Sequence, residues 1–321
     1  MTATAYTEGP YDPDSTDTEV FNFEYVDYFG NREPEPEPEP EDWRDRLGSW
    51  LRGTSTKLKF WLLAIGALLL VFALSMPASL RWFTPESTAF MDRQPDPIHQ
   101  FVTTNHISRH LFASAMVLED AEIGERSGAF DLVTFAETAQ RYIAGENVVG
   151  GSTIHQQLVK NLYLSPERSA SRKAIEALIS VATATFVPED RIMELYVNFA
   201  QFGPNIYGVC AATWYYFDSP PWYVSEFQAA QLMGVLPFPS EARRAEGGGM
   251  YVVGSEAIQN SYLDRVYNRA PGGLAYRGGY QPLMDQVGIV GDASDYEHVG
   301  PDSCSTIPPA VQELLASEDA K

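Results

Sequence analysis

A two-glycine turn that leads directly into a predicted helix is the first stretch with residues suited to binding a ligand. It runs from Gly150 to Leu162. Glycines let the backbone approach a ligand, and a helix start offers free N–H groups and the positive end of its dipole, which favour an anion such as phosphate. The polar side chains beyond the turn recur at helical spacing and form one stripe: Thr153, Gln156, Gln157 and Lys160. This pattern predicts a site for a polar, anionic ligand, and the alternative is a surface helix with an ordinary solvated face.

Two further groups of charged residues could supply acid–base chemistry and more cations. Glu119 and Asp120 follow the apolar run Ala115–Leu118, so we expect Glu119 to be partly desolvated, which suits a general base. The alternative is a helix-end carboxylate in water.

Arg168, Arg172 and Glu176 are four residues apart, which places them along one side of a helix predicted to begin at Ser165. Lys160 and Arg168 could together hold a pyrophosphate. For Arg172 and Glu176 the alternative is an ordinary ion pair within one helix, worth a few tenths of a kcal/mol.

The segment that must position these residues has helical periodicity. Two apolar stripes are present: Leu132, Phe135, Ala136, Ala139, Tyr142 and Ile143, and then Ile192, Leu195, Tyr196 and Phe199. No long alternating strand pattern occurs between Phe101 and Leu236. The sequence therefore predicts a mainly α-helical domain over residues 95–240. Glycine clusters without sustained periodicity predict a loop-rich C-terminal appendage over residues 241–321.

The uncharged run from Phe60 to Met76 predicts a single transmembrane helix over residues 60–78. Its N-terminal flank, residues 44–59, is basic, whereas only Arg81 lies close on the other side. The positive-inside rule therefore places the N-terminus in the cytoplasm and the helical domain outside the plasma (inner) membrane, in the periplasm. Residues 1–43 are acidic and contain Glu-Pro repeats, which predicts a disordered tail.

The formal net charge of -21 comes mostly from this tail, and no basic face suggests nucleic-acid binding. Cys210 and Cys304 are the two cysteines. A bridge between them is possible outside the cytoplasm, but we expect a buried thiol at Cys210 instead.

The motifs together resemble those of the peptidoglycan glycosyltransferases (glycosyltransferase family 51), of the monofunctional biosynthetic transglycosylase type. Gly150–Leu162 is similar to the family signature G-G-S-T-I-T-Q-Q-L-V-K-N-L, and Arg172–Glu176 matches R-K-x-x-E. Glu119-Asp120 stands where the family has E-D-x-x-F-x-x-H-x-G. Met193–Asn198 and Gln201–Phe217 resemble the next two motifs in the same order. The transpeptidase motifs S-x-x-K and K-T-G do not occur.

The resemblance implies a lysozyme-like helical domain that polymerises lipid II into glycan strands, with inversion at the donor sugar. It implies that Glu119 is the general base that deprotonates the acceptor 4-hydroxyl. It also implies that six residues bind the undecaprenyl pyrophosphate: Ser152, Gln156, Gln157, Lys160, Arg168 and Arg172. Glu176 is the second important carboxylate, which orients the site or helps to hold a divalent metal (Mg²⁺ or Mn²⁺), and Asp120 supports the site. The expected partners are lipid II, the growing strand, the membrane and other cell-wall synthesis proteins.

The sequence also departs from the family pattern. Ile123 and Arg126 stand at the Phe and His positions of the first motif, and one extra residue is present near Ala129. His155 replaces a usual Thr, and Cys210 a usual polar residue. The first-motif changes lie in the segment that forms a mobile flap in the family. They are therefore expected to affect how the lipid substrate or the acceptor is placed more than the general base Glu119. Two alternative functions stay open: a lipid II-binding scaffold that has lost turnover, and a lytic transglycosylase.

Overall fold

The computed structural model describes residues 44, 48, 55–144, 151–167, 169–291, 300 and 303–319. Three predicted features lie outside these residues: the acidic tail over residues 1–43, Gly150 of the glycine turn, and Arg168. Most of the basic segment over residues 44–59 lies outside them as well.

A helix long and apolar enough to cross a membrane is present near the N-terminus, as predicted. This helix, α1, spans Thr56–Ser79. Its 24 residues extend about 36 Å at 1.5 Å per residue, compared with a hydrocarbon core of about 30 Å. It begins before the predicted start at residue 60, so Lys57 and Lys59 lie in its first turn.

Short helices make up most of the domain that follows, which confirms the mainly α prediction. They are α2 (Arg109–Glu119), α3 (Leu132–Ile143), α4 (Ile154–Tyr163), α5 (Ala170–Phe186), α6 (Glu189–Phe199), α7 (Gly208–Phe217) and α8 (Glu226–Gly234). The strands are two or three residues long: β1 (Ile98–His99), β2 (Gln201–Gly203), β3 (Ile206–Tyr207), β4 (Ala242–Arg244) and β5 (Met250–Val252). β3 pairs in parallel with β1 and antiparallel with β2, and β4 and β5 form an antiparallel pair.

Helix α2 lies in the centre of the core and packs most extensively against α8. Leu111, Phe112, Ala115 and Met116 of α2 have no exposed surface. Burying each of the three larger side chains stabilises the fold by about 1.5–3 kcal/mol. Because α2 is enclosed on several sides, its last residue, Glu119, has a fixed position.

Helices α4 and α6 pack against each other beside α2. The apolar stripe predicted for α6 is confirmed, since its four residues are all buried. The buried Asn198 of α6 also joins a distant segment, because its side chain accepts a hydrogen bond from the Val102 N–H and donates one to the Val102 carbonyl, both at 2.8 Å.

Helix α3 forms where the other apolar stripe predicted it. Its first turn is open to solvent, however, with Leu132 73% and Val133 67% exposed. Phe135 stacks on Phe130 of the preceding loop, with 4.4 Å between the ring centroids.

Helix α5 begins later than the sequence suggested. Ser169 is its N-cap and accepts a hydrogen bond from the Arg172 N–H at 3.2 Å, so the helix starts at Ala170 and not at Ser165. The Ser165-Pro166-Glu167 signal was misleading because a second serine with the same capping chemistry follows it four residues later. Arg172 and Glu176 are therefore in the first two turns of α5.

The prediction of a loop-rich segment after residue 240 is wrong. The chain there forms α9 (Glu256–Asp264), a π-helical turn (Arg265–Arg269), α10 (Ala270–Arg277), α11 (Gln281–Val287) and α12 (Pro309–Asp319). Gly278 and Gly288 end α10 and α11 in left-handed backbone conformations. Gly273 permits close packing, since a Cβ there would lie 3.0 Å from Val117 of α2. The glycines thus end or pack short helices, which are too short for a sustained periodic pattern.

Cys210 and Cys304 form a disulfide, with their Cα atoms 5.9 Å apart, so the expected free thiol at Cys210 is also wrong. The bridge joins α7 to the segment that leads into α12. Two hydrogen bonds lie beside it: Trp214 Nε1 donates to the Cys304 carbonyl at 2.9 Å, and the Tyr215 hydroxyl to Glu318 at 2.8 Å. The final helix is therefore fastened to the domain core.

Removing this bridge should destabilise the domain. It closes a loop with a sequence separation of 94 residues, and loss of a native disulfide of this kind lowers the free energy of unfolding by about 2–4 kcal/mol. Urea unfolding of Cys304→Ser in detergent, followed by tryptophan fluorescence, should show a lower midpoint than the parent. Reducing agent should lower the midpoint of the parent and leave the variant unchanged; equal midpoints under oxidising conditions would contradict the structural role.

Candidate active site

The C-terminal end of α2 and the N-terminal end of α4 meet at the predicted site. α2 ends at Glu119, with Asp120 as its C-cap. α4 begins at Ile154, and its N-cap Thr153 forms a capping box with Gln156. The carboxylates and the polar stripe, which are more than 30 residues apart in sequence, are thus brought together.

Glu119 is held by partners on both carboxylate oxygens. Oε2 accepts a hydrogen bond from Gln157 Nε2 at 2.8 Å. Oε1 forms an ion pair with Arg265 Nη2. The Glu119 side chain is 11% exposed and that of Arg265 is 6% exposed. The predicted desolvation of Glu119 is confirmed, but a buried cation accompanies it.

Arg265 is itself fixed by backbone carbonyls at the end of α8. Its Nε donates to the Gly234 carbonyl at 3.0 Å, and its Nη2 to the Met233 carbonyl at 3.3 Å. The guanidinium therefore has one orientation, and it fixes Glu119 in turn.

Asp120 forms a two-point pair with Arg126, with Oδ1 2.8 Å from Nη1 and Oδ2 2.9 Å from Nη2. Oδ2 also accepts a hydrogen bond from the Ile154 N–H at 3.1 Å. Asp120 thus connects α2 to the start of α4. The pKa of Arg126 is raised, chiefly by the hydrogen bonds to Asp120.

The start of α4 offers fewer free N–H groups than the sequence suggested. Asp120 accepts from the Ile154 N–H, and the Thr153 hydroxyl accepts from the Gln156 N–H at 3.3 Å. The Gln156 amide oxygen accepts from the Thr153 N–H at 3.1 Å, and Gln156 is buried. Gln156 therefore caps its own helix, and an anion would depend on side-chain cations here.

Gln157 bridges Glu119 to a buried tyrosine. Its Nε2 binds Glu119, and its Oε1 accepts a hydrogen bond from the Tyr196 hydroxyl at 3.1 Å. Burial, followed by the charge of Glu119, raises the pKa of Tyr196 well above its usual value, which keeps the phenol protonated as a donor. The Gln157 amide is oriented by these contacts from both sides.

Lys160 lies one turn further along α4, with its Nζ 5.8 Å from the centroid of the Phe90 ring. Burial lowers the pKa of its amine, and the charges of Glu176 and Glu119 raise it again in part. The ammonium group therefore lies in the field of both carboxylates.

Glu176 is 2% exposed and pairs with two cations on its own helix. Arg172 Nη1 lies 3.0 Å from one oxygen, and Lys173 Nζ contacts the other. Lys173 also donates a hydrogen bond to the Ser152 hydroxyl at 3.3 Å, which links α5 to the glycine turn. The ordinary ion pair that was the alternative for Arg172 and Glu176 is present, within a larger cluster.

The described cations of this region outnumber its carboxylates. The cations are Lys160, Arg126, Arg172, Lys173 and Arg265, and the carboxylates are Glu119, Asp120 and Glu176. A surplus of positive charge beside a buried carboxylate suits a ligand that carries phosphate groups.

The donor set does not fit a divalent metal. Hard cations such as Mg²⁺ need several oxygen ligands, but Arg265, Arg172 and Lys173 already contact the oxygens of the two glutamates. Among the described residues, no group of three or more His, Cys, Asp and Glu side chains could hold a metal ion. The metal expectation therefore rests on the resemblance alone.

Sequence reasoning missed three of the contacts that shape this site. Lys173 had a signal, because it is the second residue of the R-K-x-x-E match. Tyr196 was assigned to an apolar stripe and to the Met193–Asn198 motif, but not to the site. Arg265 had no signal, since it lies 146 residues after Glu119 in a segment predicted to be loops.

Inorganic pyrophosphate should bind this cation cluster. We expect Lys160→Ala to weaken binding about tenfold, because a partly buried cation near the anion is removed, whereas a variant of the exposed Arg269, Arg269→Ala, should bind like the parent. Isothermal titration at several pH values checks both variants. Because burial lowers the pKa of Lys160 below 10.5, its charge and its share of the affinity should decline at lower pH than for a lysine in water. Equal affinities of Lys160→Ala and Arg269→Ala would contradict the assignment.

Comparison with known proteins gives a consistent result. A family model described as Transglycosylase matches residues 87–265. A biosynthetic peptidoglycan transglycosylase from Alcanivorax borkumensis is 38% identical over 183 residues, which cover 56% of this chain and 74% of the relative. Proteins of the same name from Shewanella frigidimarina (36% identity, 50% of this chain and 70% of the relative) and Azoarcus sp. (36%, 58% and 86%) also match.

The family match extends past residue 240 to Arg265, the residue that pairs with Glu119. With the helical fold, the paired carboxylates and the cation cluster in place, the chain belongs to the transglycosylase family and is a peptidoglycan glycosyltransferase.

Proposed function

We propose that this enzyme polymerises lipid II, by transferring a glycan from an undecaprenyl pyrophosphate donor to the 4-hydroxyl of an acceptor sugar. One observation carries the proposal: a largely desolvated glutamate, Glu119, is oriented by Arg265 and Gln157 and lies in the field of the cation Lys160. A general base and a site for a pyrophosphate leaving group are the two parts that this reaction needs.

Glu119 acts as the base. The acceptor oxygen attacks the anomeric carbon of the donor, and its proton passes to a Glu119 carboxylate oxygen. The bond from the anomeric carbon to the pyrophosphate oxygen breaks, and the electron pair leaves with the pyrophosphate. Attack from the side opposite the leaving group inverts the configuration at that carbon.

The cation cluster stabilises the leaving group. Lys160 is partly buried, so its attraction for negative charge is less screened by water than that of a fully exposed lysine. Lys173 and Arg172 contribute two further cations, and Ser152 contributes a hydroxyl beside Lys173. Arg168, between Ser152 and Arg172 in sequence, is proposed as a further ligand of the pyrophosphate.

Glu176 and Asp120 act through their partners. Glu176 lies between Arg172 and Lys173 and holds both cations on one side of α5. Asp120 fixes the start of α4 to the end of α2. No step needs a metal ion between these groups.

We place the enzyme at the plasma membrane, with α1 as its single anchor. The polyprenyl tail of lipid II stays in the bilayer, so an anchored enzyme meets its substrate there. The basic segment before α1 favours a topology in which residues 1–43 are in the cytoplasm and the catalytic domain is extracytoplasmic. The Cys210–Cys304 disulfide supports this topology, because such bonds persist outside the cytoplasm.

A lipid II-binding scaffold is the second candidate, motivated by the altered flap segment. The structure accommodates both altered residues, since Ile123 is fully buried in the core and Arg126 pairs with Asp120. A lytic transglycosylase is less well supported, because cleavage of glycan requires no pyrophosphate site.

Glu119→Gln should abolish polymerisation of labelled lipid II by the full chain in detergent, with a loss of at least about a hundredfold, because the amide cannot accept the proton. Gel separation of the glycan products measures this. Glu125→Gln is the matched control, since Glu125 is an exposed glutamate that pairs only with Arg277 among the described contacts, and it should keep the parental rate.

Binding of lipid II separates the two candidates. The enzyme account predicts that Glu119→Gln still binds lipid II, whereas Lys160→Ala binds it weakly. A parent that binds lipid II but forms no polymer, with or without Mg²⁺, would contradict the enzyme account and support the scaffold.

A further inference from the structure

Arg126 is the departure from the family pattern with the most contacts in this structure. Both of its terminal nitrogens bind Asp120, and the two side chains are 10% and 5% exposed, respectively. A two-point guanidinium–carboxylate pair fixes distance and orientation together, which a histidine at the same position would not do.

The same guanidinium also organises the altered segment. Its Nε donates to the Gly128 carbonyl at 3.3 Å, and its Nη2 to the Ala129 carbonyl at 3.2 Å. The extra residue of this segment therefore lies in a loop that is closed around Arg126. This loop connects α2 to the exposed helix α3.

Asp120, which Arg126 holds in place, is also hydrogen-bonded to the start of α4. The Ile154 N–H is in the first turn of α4 and has no acceptor within the helix, and Asp120 Oδ2 accepts it at 3.1 Å. Without Arg126, Asp120 would be a buried carboxylate whose remaining described hydrogen bond is this single N–H. Such a group moves toward water or changes partners, and the start of α4 would move with it.

We propose that Arg126 is a positioning residue of the reaction: through Asp120 it sets the spacing between Glu119 at the end of α2 and the helix that carries Gln157 and Lys160. The kinetic part of this inference rests on the proposed function. The structural part, that Arg126 holds Asp120 against the Ile154 N–H, does not rest on it, because this contact can be measured without any activity.

The kinetic test is a double-mutant cycle on lipid II polymerisation by the full chain. Arg126→Gln should lower kcat by about tenfold or more and change KM by less than about threefold, since Arg126 supplies no direct contact to the ligand. Arg126→Lys, which keeps the charge but not the two-point contact, should recover part of the rate. Asp120→Asn combined with Arg126→Gln should be no slower than Asp120→Asn alone.

Arg277→Gln is the control. Arg277 contacts the same segment, through Glu125 and the Ala121 carbonyl at 2.9 Å each, but it does not contact Asp120. It should keep the parental kcat. Additive effects of the Asp120 and Arg126 substitutions, or an equal loss for Arg277→Gln, would overturn the proposal.

Hydrogen exchange tests the structural part without any activity. In the parent the Ile154 amide should exchange slowly, and in Arg126→Gln its exchange should be at least about tenfold faster, with the core amides of α2 unchanged. Unchanged protection of Ile154 would overturn the inference even if the parent polymerises lipid II. If the parent shows no turnover but Ile154 still exchanges faster in Arg126→Gln than in the parent, the inference is supported and only the proposed function is rejected.

Discussion

The ion pair between Glu119 and Arg265 is the interaction on which the site depends. A carboxylate at the end of a buried helix is expensive to keep ionised without a partner, and Arg265 supplies that partner from a π-helical turn far along the chain. Arg265 in turn needs the carbonyls of Gly234 and Met233 at the end of α8. The segment after residue 240 is therefore part of the catalytic domain in a physical sense, because it holds the proposed base in place.

The rest of the site consists of two clusters of charged side chains. On one side, Asp120 and Arg126 join the end of α2 to the start of α4, and they use the N–H group that an anion would otherwise bind. On the other side, Glu176 holds Arg172 and Lys173 together on α5, with Lys160 nearby. In the proposed reaction, this division would leave the pyrophosphate to the side-chain cations, while the start of α4 supports the end of α2 that carries Glu119.

The sequence predicted the parts of this arrangement that are local. The α4 face and the Arg172–Glu176 spacing follow from helical periodicity, and the position of Glu119 follows from the apolar run that precedes it. Long-range pairings were not predictable, since no local pattern joins Arg265 to Glu119 or Cys210 to Cys304. Short helices ended by glycine, such as α10 and α11, read as loops because they lack a sustained period. The start of α5 was misplaced for a different reason: Ser165 and Ser169 offer the same capping chemistry, and Ser169 is the one that caps the helix.

The most direct test of this account is the turnover of Arg265→Gln and Arg265→Lys with lipid II, measured alongside lipid II binding and the disulfide-bonded, folded fraction. The account predicts that Arg265→Gln folds and binds lipid II but loses at least about tenfold in polymerisation rate, because Glu119 is no longer oriented, and that Arg265→Lys retains more activity. A folded Arg265→Gln enzyme that polymerises at the parental rate would show that the base does not need this partner, and would contradict the central claim.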